Sequence, residues 1–165
     1  MNLKTYSYNN SEELIKNDSS AKDIKTIAER LNLDEFKGAK RVIRAFFENE
    51  LTELGWNHRL RIPEIRNTPL LAPRTMKNRV GIELLMHHYS SLGTQFLKFE
   101  YMSPSHLNYL DYGILVCFTE YIQKSLDDKY RSSWGGSITY EKVIEYLKAL
   151  KKIITVPLYI IGIDL

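Results

Sequence analysis

Apolar residues at helical spacing dominate the first third of the chain. They predict a helix over residues 21–31, behind the capping candidates Ser19 and Ser20. A longer apolar stripe predicts a second helix from Phe36 to Leu54, and Gly55 is the residue type that ends a helix in the left-handed conformation. The inward positions of the first helix are Ile24, Ile27, Ala28 and Leu31.

After Trp56 the pattern changes to that of strands and loops. Polar and apolar residues alternate over 59–62, which predicts a half-exposed strand, and the prolines that follow break the chain into loop or edge strand. Residues 79–87 form a second predicted strand. Because side chains alternate between the two faces of a strand, one face carries Gly81, Glu83, Leu85 and His87.

The second half repeats the alternation of helix and strand. The pattern predicts a helix around Phe96, an apolar strand over 110–118, and an amphipathic helix that begins after Ser137. The apolar run 156–163 predicts a central strand. This order of elements indicates an α/β fold, with a mixed β-sheet flanked by helices.

Composition indicates one ordinary globular domain over residues 1–165. Residues 1–20 could form a loosely ordered N-terminal extension, or a short helix could start at Ser11.

The only cysteine, Cys117, lies in an apolar run, so we expect a buried, inert thiol and a reducing compartment. The N-terminal sequence lacks a signal-peptide core, and no apolar run reaches the length of a membrane span. We therefore expect a cytoplasmic protein without a membrane partner.

Candidate chemistry centres on one acid, Glu83, beside a basic stretch. Between Ile65 and Ile82 the chain has no Asp or Glu. The net charge of +3 is mild, so only the clustering of cations indicates an acidic partner such as double-stranded DNA; a solvated basic face is the alternative. The candidate DNA-binding residues are Arg59, Arg61, Arg66, Arg74, Lys77 and Arg79.

Metal-dependent hydrolysis of a phosphodiester needs at least two oxygen ligands around an ion such as Mg²⁺. Two neighbouring strands can supply one acid each, and a polar residue two positions after the second acid faces the same way. Glu83 fits the second acid, but Leu85 cannot bind water or metal, and Arg74, nine residues upstream, would repel Mg²⁺ and attract phosphate. Glu64 is the nearest upstream acid and could reach Glu83 if the loop folds back.

Two further possibilities concern the neighbours of Glu83. The carboxylate could be buried and paired with an arginine such as Arg79 or Arg61, without any metal. His87 lies on the same predicted face, but about two pleats away, roughly 13 Å, so a direct contact would require a bend.

Four segments resemble the type II restriction endonucleases of the BglII and BstYI kind, which have the PD-(D/E)xK nuclease fold. The segments are 34–56, with its closing Gly-Trp; 77–83; 96–99 followed by 110–115; and 133–140 together with 156–163. The family pattern has an Asp upstream of the catalytic Glu and a Gln or Lys two residues after it. Only Glu83 carries over, as catalytic and metal-ligating residue, because Arg74 and Leu85 stand at the other two places.

The resemblance leaves three functional hypotheses open. The first is a restriction-endonuclease-like DNA-binding protein with impaired or absent cleavage, acting as a subunit or regulator of a restriction or defence system. The second is an active Mg²⁺-dependent endonuclease in which Glu64 assists Glu83. The third is a non-catalytic protein-interaction module. The family analogy also implies a homodimer, or a heteromer with a related subunit.

Overall fold

The computed structural model describes residues 2–58 and 60–164, which form one six-stranded sheet with helices on both faces. The strands are β1 (Asn2–Tyr8), β2 (Asn57–His58), β3 (Thr75–Lys77), β4 (Val80–Leu84), β5 (Tyr112–Phe118) and β6 (Leu158–Asp164). The helices are α1 (Ser11–Ile15), α2 (Ser20–Arg30), α3 (Lys40–Glu53), α4 (Leu92–Met102), α5 (Glu120–Tyr130) and α6 (Tyr140–Ala149). Of these helices, none is both long and apolar enough for a bilayer crossing.

The sheet is mixed, as predicted, with the strand order β1-β6-β5-β4-β3-β2. Strands β4, β5 and β6 run parallel, while β1 joins β6 and β3 joins β4 in antiparallel fashion. Alternate residues of β5 enter two cores: Ile114 and Val116 pack with α2, α3 and α5, and Leu115 and Cys117 pack with α4 and α6. Cys117 is fully buried, and burial raises the pKa of its thiol, so the sulfur is unreactive.

Residues 2–20 contain β1 and the short helix α1, which begins at Ser11 as predicted; the sequence had offered a loosely ordered extension as the other possibility and did not predict β1. β1 pairs with β6 along its whole length, from Asn2 with Asp164 to Tyr8 with Leu158. Most of its side chains are only partly buried or exposed, so the strand has no apolar run that would identify it. Its position depends on hydrogen bonds to the other end of the chain, which local pattern does not reveal.

The half-exposed strand predicted over 59–62 does not form in the residues described there. β2 covers only Asn57–His58, Arg59 lies outside the described residues, and the chain enters a 3₁₀ turn at Pro63–Ile65. Pro63 offers no backbone donor to a strand ladder, which disfavours a strand that continues through it. Ile62 is buried all the same, in the core beneath α4.

Three other boundaries differ from the predictions. α3 begins at Lys40 and not at residue 36, because Lys37 and Gly38 both have positive φ and interrupt the helix. Residues Glu120–Tyr130, for which no helix was predicted, form α5. Its inner side includes the buried Gln123 and therefore lacks a clear apolar period. The cap of α6 is the Thr139 hydroxyl, which accepts the Lys142 N–H, and not Ser137.

Two glycines allow α4 to lie close to the sheet. A Cβ built on Gly113 would stand 2.2 Å from Cδ1 of Phe99, and one on Gly81 would stand 3.1 Å from its Cε1. The Phe99 ring therefore occupies the space that side chains on β4 and β5 would fill. This contact fixes the height of α4 above β4 and, with it, the position of Lys98, the preceding residue.

A methyl group at position 113 should test this packing. We expect Gly113→Ala to lower the free energy of unfolding by about 1–3 kcal/mol, because the Phe99 ring must shift. Gly93 lies on α4, and a Cβ built there would have open space around it. Gly93→Ala should therefore leave the free energy of unfolding unchanged or raise it by up to about 1 kcal/mol through helix propensity. Urea unfolding of both variants measures the difference. Equal effects would contradict the close-packing argument.

Candidate functional site

Glu83 stands where β3 and β4 separate. The ladder between these strands pairs Lys77 with Val80 and ends with Thr75 opposite Ile82. Continuing this register by one residue places the backbone of Arg74 across from Glu83. The turn between the strands, Asn78 and Arg79, has positive φ at both residues, as a two-residue hairpin of this kind requires. This short turn explains the nine-residue spacing between Arg74 and Glu83.

The Glu83 carboxylate is buried and has two donors. Its Oε1 accepts the backbone N–H of Arg74 at 2.8 Å and a hydrogen bond from Lys98 Nζ at 2.9 Å. The side chains of Lys98 and Glu83 are only 12% and 4% exposed, so each offsets the burial cost of the other. An ion pair was one of the predicted roles for Glu83, but its partner is Lys98 and not Arg79 or Arg61.

Arg74 continues the alternation of charges. Its guanidinium Nη1 lies 3.0 Å from Oε1 of Glu48, on α3. The resulting row of four charged side chains, Glu48, Arg74, Glu83 and Lys98, is called here the charged row. Two of its members, Glu48 and Lys98, were missed by the sequence analysis.

The missed residues have a weak sequence signal. Glu48 follows the buried Phe47 of α3, and Lys98 precedes the buried Phe99 of α4. A charged residue at the border of an apolar helical stripe is usually a solvated neighbour of the core. Only the tertiary structure shows that both borders meet the same point of the sheet.

A cleft of about 860 Å³ opens beside Glu83. Its lining combines four cations with one acid, Glu83, which is already paired with Lys98. Arg61 and Arg66 are exposed at its wall, whereas Arg74 is half-buried. The residues that line it are Leu60, Arg61, Ile62, Pro63, Ile65, Arg66, Leu70, Ala72, Pro73, Arg74, Glu83 and Lys98. The cleft therefore has the charge and shape to receive an anionic ligand.

The predicted DNA-binding residues divide into two groups. Arg61, Arg66 and Arg74 meet in the cleft, and Arg59 lies outside the described residues. The other two have different partners in the structure. Lys77 Nζ donates to the Leu54 carbonyl at 2.7 Å, near the end of α3, and Arg79 is engaged by Asp111 and Asn108.

Glu64 takes a different position from the one the active-enzyme hypothesis requires. Its carboxylate accepts a hydrogen bond from the Tyr109 hydroxyl at 2.7 Å, and it is not among the residues lining the cleft at Glu83. Asp111, another acid near the hairpin, pairs with Arg79 at 2.9 Å. The structure thus brings neither acid into the charged row.

The donor set around Glu83 does not fit Mg²⁺. This ion takes oxygen ligands in near-octahedral geometry, but a lysine and the backbone of an arginine already occupy Oε1 of Glu83. Glu48 is bound to Arg74, and Leu85 is fully buried in the core with α4. Among residues 2–58 and 60–164 no group of three His, Cys, Asp or Glu side chains could hold a metal ion.

His87 lies beside the charged row because strand β4 ends at Leu84. The sequence predicted that this strand continues to residue 87. His87 lines a small cavity together with Glu83 and Arg44, and Arg44 Nη2 lies 3.4 Å from its Nε2. Burial, followed by the Arg44 cation, lowers the pKa of His87. The imidazole is therefore neutral near pH 7, and its Nε2 can accept a hydrogen bond from Arg44.

A double-mutant cycle should measure the Glu83–Lys98 pair. We expect Lys98→Met to reduce the free energy of unfolding by about 3 kcal/mol, because it leaves a buried charge without its partner. The double variant Glu83→Leu/Lys98→Met should recover most of this loss. The exposed pair Glu120–Lys124 is the control, with an expected coupling of about 0.5 kcal/mol or less. A similar coupling at both pairs would show that the site is solvated.

Proton uptake by His87 should be suppressed in the folded state. Because its pKa is lowered from the ordinary value of 6.5, the unfolded chain binds this proton more readily, and stability falls as the pH drops below that value. NMR titration, with His87→Gln to assign the signal, measures the folded pKa. Arg44→Ala should raise it toward the ordinary value; an unchanged pKa would contradict the assigned influence of Arg44.

Comparisons with known proteins place this chain in a family. The family model for restriction endonuclease BglII/BglIII matches residues 3–163. The crystal structure of restriction endonuclease BglII complexed with a DNA 16-mer superposes with a TM-score of 0.73 at 15% identity, covering 99% of this chain and 76% of that one. Free BglII superposes with a TM-score of 0.68 at 14% identity, covering 100% and 80%.

Comparison of the sequence with curated proteins gave no significant match. The structural likeness confirms the predicted restriction-endonuclease-like fold, and the family match extends over nearly the whole chain. This protein belongs to the BglII family of restriction endonucleases.

Proposed function

We propose that the protein binds double-stranded DNA through the cleft beside β4 and does not cleave it. The observation that carries this proposal is the lining of the cleft: two exposed arginines, Arg61 and Arg66, stand beside Arg74, which is paired with Glu48, and the single acid is already neutralised by Lys98. Such a protein would act as a non-cleaving subunit or regulator beside an active enzyme of a restriction system.

The exposed arginines of the cleft support DNA binding. Arg61 and Arg66 stand at its wall and can approach phosphate oxygens, for which the planar guanidinium is well suited. Contacts of this kind neutralise backbone phosphates and position a protein on the duplex, but they carry little sequence information. BglII itself has been solved with DNA, which supports this ligand class for a protein with the same fold.

The charged row supports the absence of cleavage. A metal-dependent nuclease needs converging oxygen ligands and a group that orients the attacking water. Here the backbone N–H of Arg74 and the ammonium group of Lys98 are both bound to Oε1 of Glu83, and the buried Leu85 stands two residues further on. The active-enzyme hypothesis relies on Glu64, which is instead bound to Tyr109.

Assembly follows by analogy and is part of the proposal. A duplex site with two-fold symmetry is matched by a two-fold protein, so we propose that the chain works as a homodimer or as a heteromer with a related subunit. In the heteromer, the partner would supply the catalytic carboxylates that this chain lacks in its cleft.

Removing the wall arginines should reduce the salt dependence of binding. We expect Arg61→Ala/Arg66→Ala to lower the slope of log affinity against log salt by about 2, since each phosphate contact contributes about 0.9. Fluorescence anisotropy with a labelled duplex of about 20 base pairs, between about 50 and 200 mM salt, gives the slope. Lys25→Ala/Arg30→Ala removes the same charge from α2, across the sheet from α4, and is the control.

Three outcomes would contradict the proposal. An equal loss of slope in both double variants would show that net charge, and not the cleft, controls binding. Nicking of plasmid DNA in Mg²⁺ that disappears in Glu83→Ala would show an active enzyme. The absence of any DNA binding, at low salt and with all duplexes tried, would favour the protein-interaction module.

A further inference from the structure

Lys98 occupies a position next to Glu83 that a divalent cation would need in a metal-dependent nuclease. Its Nζ lies 2.9 Å from Oε1 of Glu83, and both residues line the cleft. An ammonium group has three N–H donors, and Oε1 accepts one of them. The remaining donors are available to a phosphate oxygen in the cleft.

The position of this ammonium group is fixed from both sides. On the helix, the neighbouring Phe99 ring fits over Gly81 and Gly113, which holds the backbone of Lys98 close to β4. On the sheet, the backbone N–H of Arg74 holds the Glu83 carboxylate at 2.8 Å. A backbone donor cannot rotate away as a side chain can, so the carboxylate remains oriented toward Lys98.

The charge of the pair determines what it can do. Mg²⁺ at Glu83 would lie beside an ammonium group that is bound to Oε1 and whose side chain is 12% exposed, and the Arg74 side chain, which lines the same cleft, would oppose a divalent ion. An ammonium group holds a phosphate as a point charge. It does not lower the pKa of a bound water as a metal does, so it favours binding of the phosphate without hydrolysis.

We infer that Lys98 is an internal cation that takes the place of Mg²⁺ at Glu83 and binds one backbone phosphate of DNA without any metal. The inference rests on the proposed DNA-binding function and adds to it the position of one phosphate and the independence from divalent ions. The phosphate lies in the cleft between Lys98 and Arg74, with Arg61 and Arg66 on its outer side.

Anisotropy titrations of the full chain, with the labelled duplex in EDTA or in millimolar Mg²⁺ at matched ionic strength, test the inference. The wild-type protein should bind the duplex in EDTA. Mg²⁺ should either not change this affinity or reduce it, because Mg²⁺ also screens phosphates. Lys98→Met should bind about tenfold more weakly in EDTA at about 50 mM salt, the loss expected for one phosphate contact. In this variant Mg²⁺ should increase the affinity, since Glu83 is then available to the ion.

A second comparison covers the case in which Lys98→Met does not fold, as judged by circular dichroism. Glu83→Gln keeps the Lys98 cation and should bind DNA more tightly than the wild type. The double variant Glu83→Gln/Lys98→Met should bind about tenfold more weakly than the wild type at about 50 mM salt. Mg²⁺ should not rescue the double variant, because its amide is a poor ligand for the ion.

The outcomes separate this inference from the proposal beneath it. Two results would overturn the role of Lys98 and leave DNA binding intact. The first is wild-type binding that requires Mg²⁺, and the second is an equal affinity for DNA of Glu83→Gln and Glu83→Gln/Lys98→Met. Binding in neither EDTA nor Mg²⁺ overturns both. Metal-independent binding that is weakened by loss of Lys98 supports both.

Discussion

The ion pair between Lys98 and Glu83 depends on how closely α4 packs against the sheet. Gly81 and Gly113 leave room for the Phe99 ring, and the residue before Phe99 can then reach a carboxylate on β4. With larger residues on these strands, the helix would stand further out, and Glu83 would be a buried charge without a cation. The electrostatics of the cleft therefore depend on the tight packing of apolar groups, because this packing determines the distance between the Lys98 ammonium group and the Glu83 carboxylate.

The β3–β4 hairpin provides the second fixed element. Its two-residue turn and register place residue 74 across from residue 83, so the backbone of residue 74 holds the Glu83 carboxylate and its side chain lines the same cleft. An acid there would create a pair of oxygen ligands; the arginine found there creates a cationic wall, tied to Glu48 on α3. The same backbone geometry can thus serve metal binding or phosphate binding, and the choice rests on a few side chains.

Sequence reasoning found the parts of this architecture that local pattern controls. The apolar runs identified β4, β5 and β6, the amphipathic stripes identified α2, α3, α4 and α6, and the period of two assigned the faces of β4. β1 escaped detection because its partner lies at the far end of the chain, and α5 because a buried glutamine interrupts its apolar period. At the site, the family pattern related Arg74 to Glu83, although the β3–β4 hairpin that pairs their backbones was not predicted. Lys98 and Glu48 could not, because their helices reach Glu83 only through tertiary packing.

The packing around Glu83 also explains why single substitutions would not restore a metal centre. Arg74→Asp would place a new carboxylate across the hairpin, but Lys98 would remain bound to Glu83 as an internal counter-ion. Leu85 lies fully within the core beneath α4, so a polar replacement there would bury a group without a partner. Removing Lys98 alone would leave Glu83 unpaired beside Arg74. Each of these substitutions therefore carries a stability cost unless the others accompany it.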